Sequence, residues 1–404
     1  VARRAKDDPQ FFSGSLWMMT TGSWQVRVEA VGDKGTSVLA VPVPAAATQT
    51  KSMAFALAAG LFVLMLILAG GVVGIAGAAA REGNLQPGVT PAASNRQDGY
   101  LAMAVAALVT ILAIWGGNNW WTAEASGYSR NIYKPLSMSA SADAFGKLDL
   151  QLRDSGWLPG RRLDDFIPDH CHLMHLYAIR WPEMDEVWHL HPEMAATGEF
   201  THMLPKMPAG AYSLFADVVH ANGFPETMVA QLNVQADLPG KPLEGDDAGG
   251  SVLPLSQTPL DSTVSQLPDG WRMRWVRDSK PLQAKRATLF AFRLENKDGK
   301  PAGDMELYMG MPGHAAFVKT DGLVFAHVHP SGSVAMPALM LAESQLSAGS
   351  NGMPAMGEMA GMTMNLPATV TFPYGFPRPG EYRIFVQVKR GGQVETGVFN
   401  AQVE

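Results

Sequence analysis

The chain has 404 residues, room for two or three domains, with a formal net charge of −6 and 17% charged residues against 47% from the hydrophobic set. That balance points to membrane-spanning segments, and with no basic cluster it excludes nucleic acid as a partner. The single cysteine, Cys171, excludes an internal disulfide, a CxxC redox pair, a CxxCH haem attachment and a four-cysteine zinc site.

The chain opens on Val1 rather than Met, as expected of a processed chain or of one that begins part-way through a longer gene product. Residues 1–50 contain SWQVRVEAVGDKGTSVLAVPVPA, which alternates apolar and polar residues on either side of GDKG. This predicts a β-hairpin with a proline-rich exit, an extracytoplasmic β segment short for a sandwich of its own. Residues 53–80 carry no charge, and as a helix they would extend about 42 Å, enough to span a hydrocarbon core of about 30 Å. Gly70, Gly71, Gly74 and Gly77 suit close helix packing in lipid. A loop at 81–99 follows, and residues 100–121 form a second span with Trp115, Trp120 and Trp121 at an interface.

Two spans put residues 1–50 and 122–404 on one side of the membrane. Arg81 and Arg96 in the loop balance Lys51, Arg130 and Lys134 outside it, so the positive-inside rule does not decide sidedness. The methionine and histidine clusters described below place the large parts in the periplasm of a bacterial inner membrane.

Two β-rich modules follow, at 145–237 and 265–404, with a Gly/Pro/Asp-rich linker at 238–264. Short runs such as LYAIRW, YSLFADVV, ATLFAFRLEN and YRIFVQVKR lie between turn signals. LPKMPAGAYSLFADV and FPYGFPRPGEYRIFVQV match in pattern. The fold class is therefore mainly β: two repeated immunoglobulin-like sandwiches beside a transmembrane helical hairpin. No βαβ alternation supports a doubly wound fold. The acidic pairs Asp164–Asp165 and Asp246–Asp247 sit in turn or linker sequence and read as solvated.

The repeat is clearest in its histidines. DHCHLMHLYAIRWPEMDEVWHLHP gives His175, His189 and His191, and GMPGHAAFVKTDGLVFAHVHP gives His314, His327 and His329. In a strand, residues i and i+2 share a face, so each His-x-His presents two imidazoles together. The third histidine lies on a preceding segment joined by a short turn. Three convergent imidazoles suit copper or zinc. The alternative is that each His-x-His-Pro caps a strand end, its rings bonded to backbone carbonyls.

In the second module, MPAMGEMAGMTM adds Met353, Met356, Met359, Met362 and Met364 in a Gly/Pro-containing loop, with Met336 and Met340 upstream. Thioethers are soft ligands that favour Cu(I); the other reading is an adaptable apolar surface for a partner or lipid. The first module instead carries Asp169, His170, Cys171, His172, Met174 and His175 within seven residues. Cys171 reads as a thiolate ligand or a small buried thiol. No HExxH, GxSxG, P-loop or GxGxxG signature is present.

FFSGSLWMMTTGSWQVRVEAVGDKGTSVLAVPVPA resembles the C-terminal half of FixH-like or YtkA-like domains, small extracytoplasmic β-sandwiches found near cytochrome oxidase assembly and copper proteins. MGMPGHAAFVKTDGLVFAHVHPSG, with FPRPGEYRIFVQVKRGGQVETGVF, is similar to a recurrent domain of bacterial membrane-anchored and secreted proteins suspected of heavy-metal involvement. The matching positions are Gly313, His314, His327, His329 and Pro330. These resemblances imply an extracytoplasmic location and a β-sandwich fold.

The sequence thus supports a non-enzymatic, membrane-anchored periplasmic protein handling copper. Its principal site would be His314, His327, His329 and the methionine loop, with a secondary site at His175, His189 and His191. The rival reading is an accessory subunit of a large respiratory or photosynthetic membrane complex, with the bilayer and neighbouring membrane or periplasmic subunits as partners.

Overall fold

The computed structural model describes residues 1–4, 12–14, 16–157, 160–260, 262–347 and 366–404. The chain divides into two compact units. One is Val1–Ala46 with Pro135–Ser155 and Gly160–Glu404; the other is Ala47–Lys134 with Gly156–Pro159.

The smaller unit is a helical hairpin, α1 (Phe55–Glu82) and α2 (Ala93–Ser129). Both helices are long and apolar enough to cross a membrane. The second runs well beyond the expected 100–121, because polar helix-compatible residues continue it at both ends, and its 37 residues extend about 55 Å. The helices pack closely where Gly77 of α1 faces Gly99 of α2. A Cβ built on Gly77 would lie 2.3 Å from Cγ of Met103 and 3.4 Å from the carbonyl of Gly99, so a larger residue there would have to displace the Met103 side chain.

The larger unit begins with the short pair β1 (Arg3–Arg4) and β2 (Phe12–Ser13), then the hairpin β3 (Gly22–Gly32) and β4 (Gly35–Ala45). The strands stay in register from Gly22↔Ala45 to Gly32↔Gly35, and Gly35 takes a φ of +115°, which side chains disfavour.

The first sandwich comprises β5 (Ser137–Ala142), β6 (Lys147–Arg153), β7 (His175–Arg180), β8 (Glu186–Leu190), β9 (Glu193–Ala196), β10 (Glu199–Met203), β11 (Gly210–Val219), β12 (Pro225–Val234) and β13 (Ala248–Ser251). Its sheets run β5-β6-β10-β9 and β12-β11-β7-β8-β13. In β6, KLDLQLR, the buried residues are Leu148, Leu150 and Leu152. Alternation places them in one core, each stabilising by about 1.5–3 kcal/mol over exposure.

The second sandwich comprises β14 (Val264–Gln266), β15 (Arg272–Val276), β16 (Thr288–Glu295), β17 (Met305–Glu306), β18 (His314–Lys319), β19 (Phe325–Val328), α3 (Met336–Ser347), β20 (Thr369–Tyr374), β21 (Gly380–Arg390) and β22 (Gln393–Val403). Its sheets run β14-β15-β16-β20 and β17-β21-β18-β19, with β22 on the other side of β21. Thus β12-β11-β7-β8 repeats as β22-β21-β18-β19. Each copy also has a tyrosine corner, an immunoglobulin-type feature: Tyr212 Oη donates to the Pro208 carbonyl and Tyr382 Oη to that of Arg378, 2.9 and 2.8 Å.

One expectation needs correcting. The segment 238–264 is not a free linker: β13 joins the sheet edge beside β8, and the buried Arg383 of β21 donates to Thr258 Oγ1 and Asn400 Oδ1, and to the carbonyl of Leu253. The N-terminal hairpin, short for a sandwich of its own, meets α3, where Gln25 Nε2 donates to the carbonyl of Ala342.

The central strands β7 and β18 are buried on both faces. In β7, Leu176 and Ala178 enter the core of the first sandwich, while Tyr177 and Ile179 turn towards the second. In β18, Ala315 and Phe317 turn inward, while Ala316 and Val318 face the first sandwich. With Val187, Phe215, Phe385 and Val398 these outward residues form a third core, between the sandwiches.

Candidate metal centre

Strand alternation dictates where the histidines point. Counting back by two from Tyr177 and Ile179 gives His175; counting forward from Val187 gives His189 and His191. In the second sandwich the same count from Ala316 and Val318 gives His314, and from Phe325 gives His327 and His329. All six lie on the face turned to the other sandwich. Antiparallel pairing of β7 with β8, and of β18 with β19, brings each third histidine beside its His-x-His.

The result is one cluster. Within the first triad, ring centroids are 5.3 Å (His175–His189), 4.9 Å (His175–His191) and 4.8 Å (His189–His191) apart. In the second they are 5.3 Å (His314–His327), 5.0 Å (His314–His329) and 4.5 Å (His327–His329). In each triad one ligand atom per residue lies within 4.8 Å of the other two.

Outward nitrogens meet oxygen acceptors. His175 Nε2 lies 3.0 Å from the Asp169 carbonyl, and His314 Nε2 lies 3.1 Å from that of Tyr308. His189 Nδ1 lies 3.1 Å from Gln387 Oε1, and His191 Nδ1 lies 3.0 Å from Asp247 Oδ1. His327 Nδ1 is 3.7 Å from Asp217 Oδ2. Such outer acceptors select the tautomer that leaves the other nitrogen free to bind a metal. The inner nitrogens converge: His175 Nδ1 is 3.0 Å from His189 Nε2, and His314 Nδ1 is 3.1 Å from His327 Nε2. Two ligands about 2.1 Å from one ion, at roughly a right angle, stand about 3 Å apart. His191 Nε2 is buried without a hydrogen bond, and the polar neighbour of the His329 ring is the backbone of Val334.

The electrostatics suit neutral donors. Burial, reinforced by neighbouring imidazoles, holds His175, His189, His314 and His327 well below the usual imidazole range, and His329 falls to about 3. Burial raises Asp169 and Asp217 to about 7. Burial also works to raise Asp247, but hydrogen bonds from His191 and His202 outweigh it and hold that carboxyl at about 2.

Every histidine expected at a metal site is therefore in this cluster, as one assembly rather than a principal and a secondary site. Met353, Met356, Met359 and Met362, with Met364, lie outside the described residues. Met336 is buried on α3 and Met340 is exposed there. Cys171 is exposed, with a φ of 72°, not a buried thiol. The pair Asp246–Asp247 is not simply solvated: His172 Nε2 lies 3.1 Å from Asp246, and His191 and His202 hold Asp247. Asp165 likewise pairs with His220, 2.7 Å away.

Residues outside the expected set also join. His170 lies 5.2 Å from His314 and 5.1 Å from His329, ring to ring, and groups with Asp169 and His329 as a third set of possible ligands. His172 stacks on His191 at 4.0 Å. The missed signal was the unbroken apolarity of LYAI and AAFV: strands buried on both faces imply a second layer over the histidines.

Residues 265–404 match the family described as a domain of unknown function (DUF8832). No curated protein matches the chain. Among solved structures, a chimeric titin Z1Z2 is 9% identical, covering 67% of this chain and 94% of that one, with a TM-score of 0.14. The fibronectin(III)-like modules of Clostridium thermocellum CbhA are 10% identical over 66% and 88%, with a TM-score of 0.14. The D00-D0 domain of intimin is 10% identical over 65% and 98%, with a TM-score of 0.15. Likeness at this level carries no functional argument. Fold and site define the class: paired immunoglobulin-like sandwiches with two membrane-anchor-like helices and histidine clusters compatible with metal binding.

Proposed function

We propose that this protein is a non-enzymatic copper-binding protein, anchored in a bacterial inner membrane with its sandwiches in the periplasm. One observation carries the reading: in both triads inner nitrogens converge, while the outer nitrogens of His175, His189, His191 and His314 meet oxygen acceptors. Imidazole sets of this kind take copper, zinc, iron or nickel, and among divalent first-row ions copper binds such ligands most tightly. The thioethers of Met353, Met356, Met359 and Met362 add soft donors that favour Cu(I) and suit capture from a donor.

The test is a copper titration of full-length protein in detergent against a chromophoric chelator, with zinc in parallel. Tight copper binding that His189→Ala and His327→Ala together abolish supports the reading. No copper binding, or binding indifferent to those substitutions, overturns it.

A second reading, an accessory subunit of a larger membrane complex, is favoured by α1. A Cβ built on Gly70, Gly71 or Gly74 would meet nothing within 4 Å, which leaves room for a further helix. Co-purification in a complex of fixed composition, with no bound metal, supports it over copper handling.

A further inference from the structure

Resting on the reading that the triads bind copper, we infer that they are the two halves of one dinuclear centre, in which the sandwiches hold two ions side by side.

The distances carry this. Across the boundary, His175 and His327 lie 5.3 Å apart, His189 and His327 5.2 Å, and His189 and His314 6.0 Å, ring centroid to ring centroid. The spacing inside a triad, 4.5–5.3 Å, is nearly the same. No layer of side chains separates the two sets. Each triad nevertheless brings its ligand atoms within 4.8 Å of one another using histidines of one sandwich alone. The arrangement therefore holds two adjacent ion positions rather than one shared position.

The contacts are also reciprocal. His189 of the first sandwich reaches Gln387 of the second, and His327 of the second faces Asp217 of the first. Gln387 pairs in register with His314, and Asp217 with His175, so both acceptors occupy the same place in the repeat. Each half of the centre thus has one outer acceptor supplied by the opposite sandwich.

A cavity of about 210 Å³ opens on the cluster, lined among others by Asp169, His175, Asp217, His327 and His329. It touches both triads and has room for a small bridging ligand such as water-derived hydroxide. Two-metal sites hold their ions roughly 3.5–4 Å apart, close enough for such a bridge.

The test loads metal-free full-length protein, in detergent, with Cu(II) salt and measures copper content and the electron paramagnetic resonance spin count together. The dinuclear centre predicts two coppers per chain and a coupled pair, seen as a spin count far below the copper content or as a half-field signal. His327→Ala should leave one copper with a full one-spin signal, and His189→Ala should do the same from the other side. Two coppers whose spins count fully and show no mutual splitting overturn the proposal, as does a single copper in the unsubstituted protein. Either of those results leaves copper binding intact, whereas no bound copper removes the copper reading itself.

Discussion

Nδ1 of His189 lies 3.1 Å from Oε1 of Gln387, although the two are 198 residues apart and belong to different sandwiches. The contact fixes the His189 ring so that Nε2 faces His175, and it makes a residue on the outward face of one sandwich an outer partner of the other's donor. Gln387→Ala should weaken copper binding roughly 10–100-fold, the usual effect of removing such an outer partner. Chelator competition on the folded variant checks this; an unchanged affinity means the contact does not orient a ligand.

The apolar layer between the sandwiches should be as necessary to the cluster as the imidazoles. Phe385 is fully buried in that layer, beside Tyr177 and Phe215. Phe385→Ala should cost about 3–5 kcal/mol in urea unfolding and lower copper affinity too, because the cavity lets the sheets shift apart. Full affinity in a destabilised variant would show that the sandwiches need not be held at this spacing.

The metal-free protein should lose stability as pH falls from about 6.5 towards 5. His170, His175, His189, His191, His314, His327 and His329 are lowered by burial, so over this range the unfolded chain takes up protons at these positions and the folded chain does not. Five groups oppose this, among them Glu186 and Glu395, whose carboxyls burial raises. Asp169 and Asp217 stand near 7 when folded, against about 3.9 unfolded, and His220 is raised as Glu226 and Asp165 outweigh its burial. Their contribution is present at low pH and lost as pH rises, but seven imidazoles outnumber them. Urea midpoints at pH 7 and pH 5 measure the sign, and a midpoint that rises at pH 5 contradicts it.

Cys171 should be dispensable. It holds a φ of 72° in a turn where Asp169 and His172 exchange backbone hydrogen bonds, and Gly310 holds φ 76° in the matching turn closed by Tyr308 and Met311. A left-handed residue with a side chain is disfavoured by about 1–2 kcal/mol, partly offset by the greater freedom of glycine in the unfolded chain. Cys171→Gly should therefore raise stability by about 0.5–1 kcal/mol and leave copper content unchanged. Copper lost from that variant would make the thiol a ligand after all.

The fold class and the pairing of each His-x-His with an upstream histidine were legible because strand alternation and duplication are local signals. The meeting of the triads was not. It depends on the outward faces of β7 and β18, and LYAIRW and AAFVKT reveal these only as apolarity without alternation. Asp247 was hidden for a different reason: an acidic residue in a Gly-rich segment reads as solvated until the strand beside it is known. His170 was visible as a donor, but its approach to His314 depends on a turn with left-handed φ that the sequence does not announce.

The central claim is that the converging imidazoles hold a metal in the native protein. Metal analysis of full-length protein purified from its own membranes, beside His189→Ala/His327→Ala purified identically, tests it most directly. The account predicts copper in stoichiometric amount in the first and its loss from the second. Metal-free native protein, or equal copper in both, would contradict it.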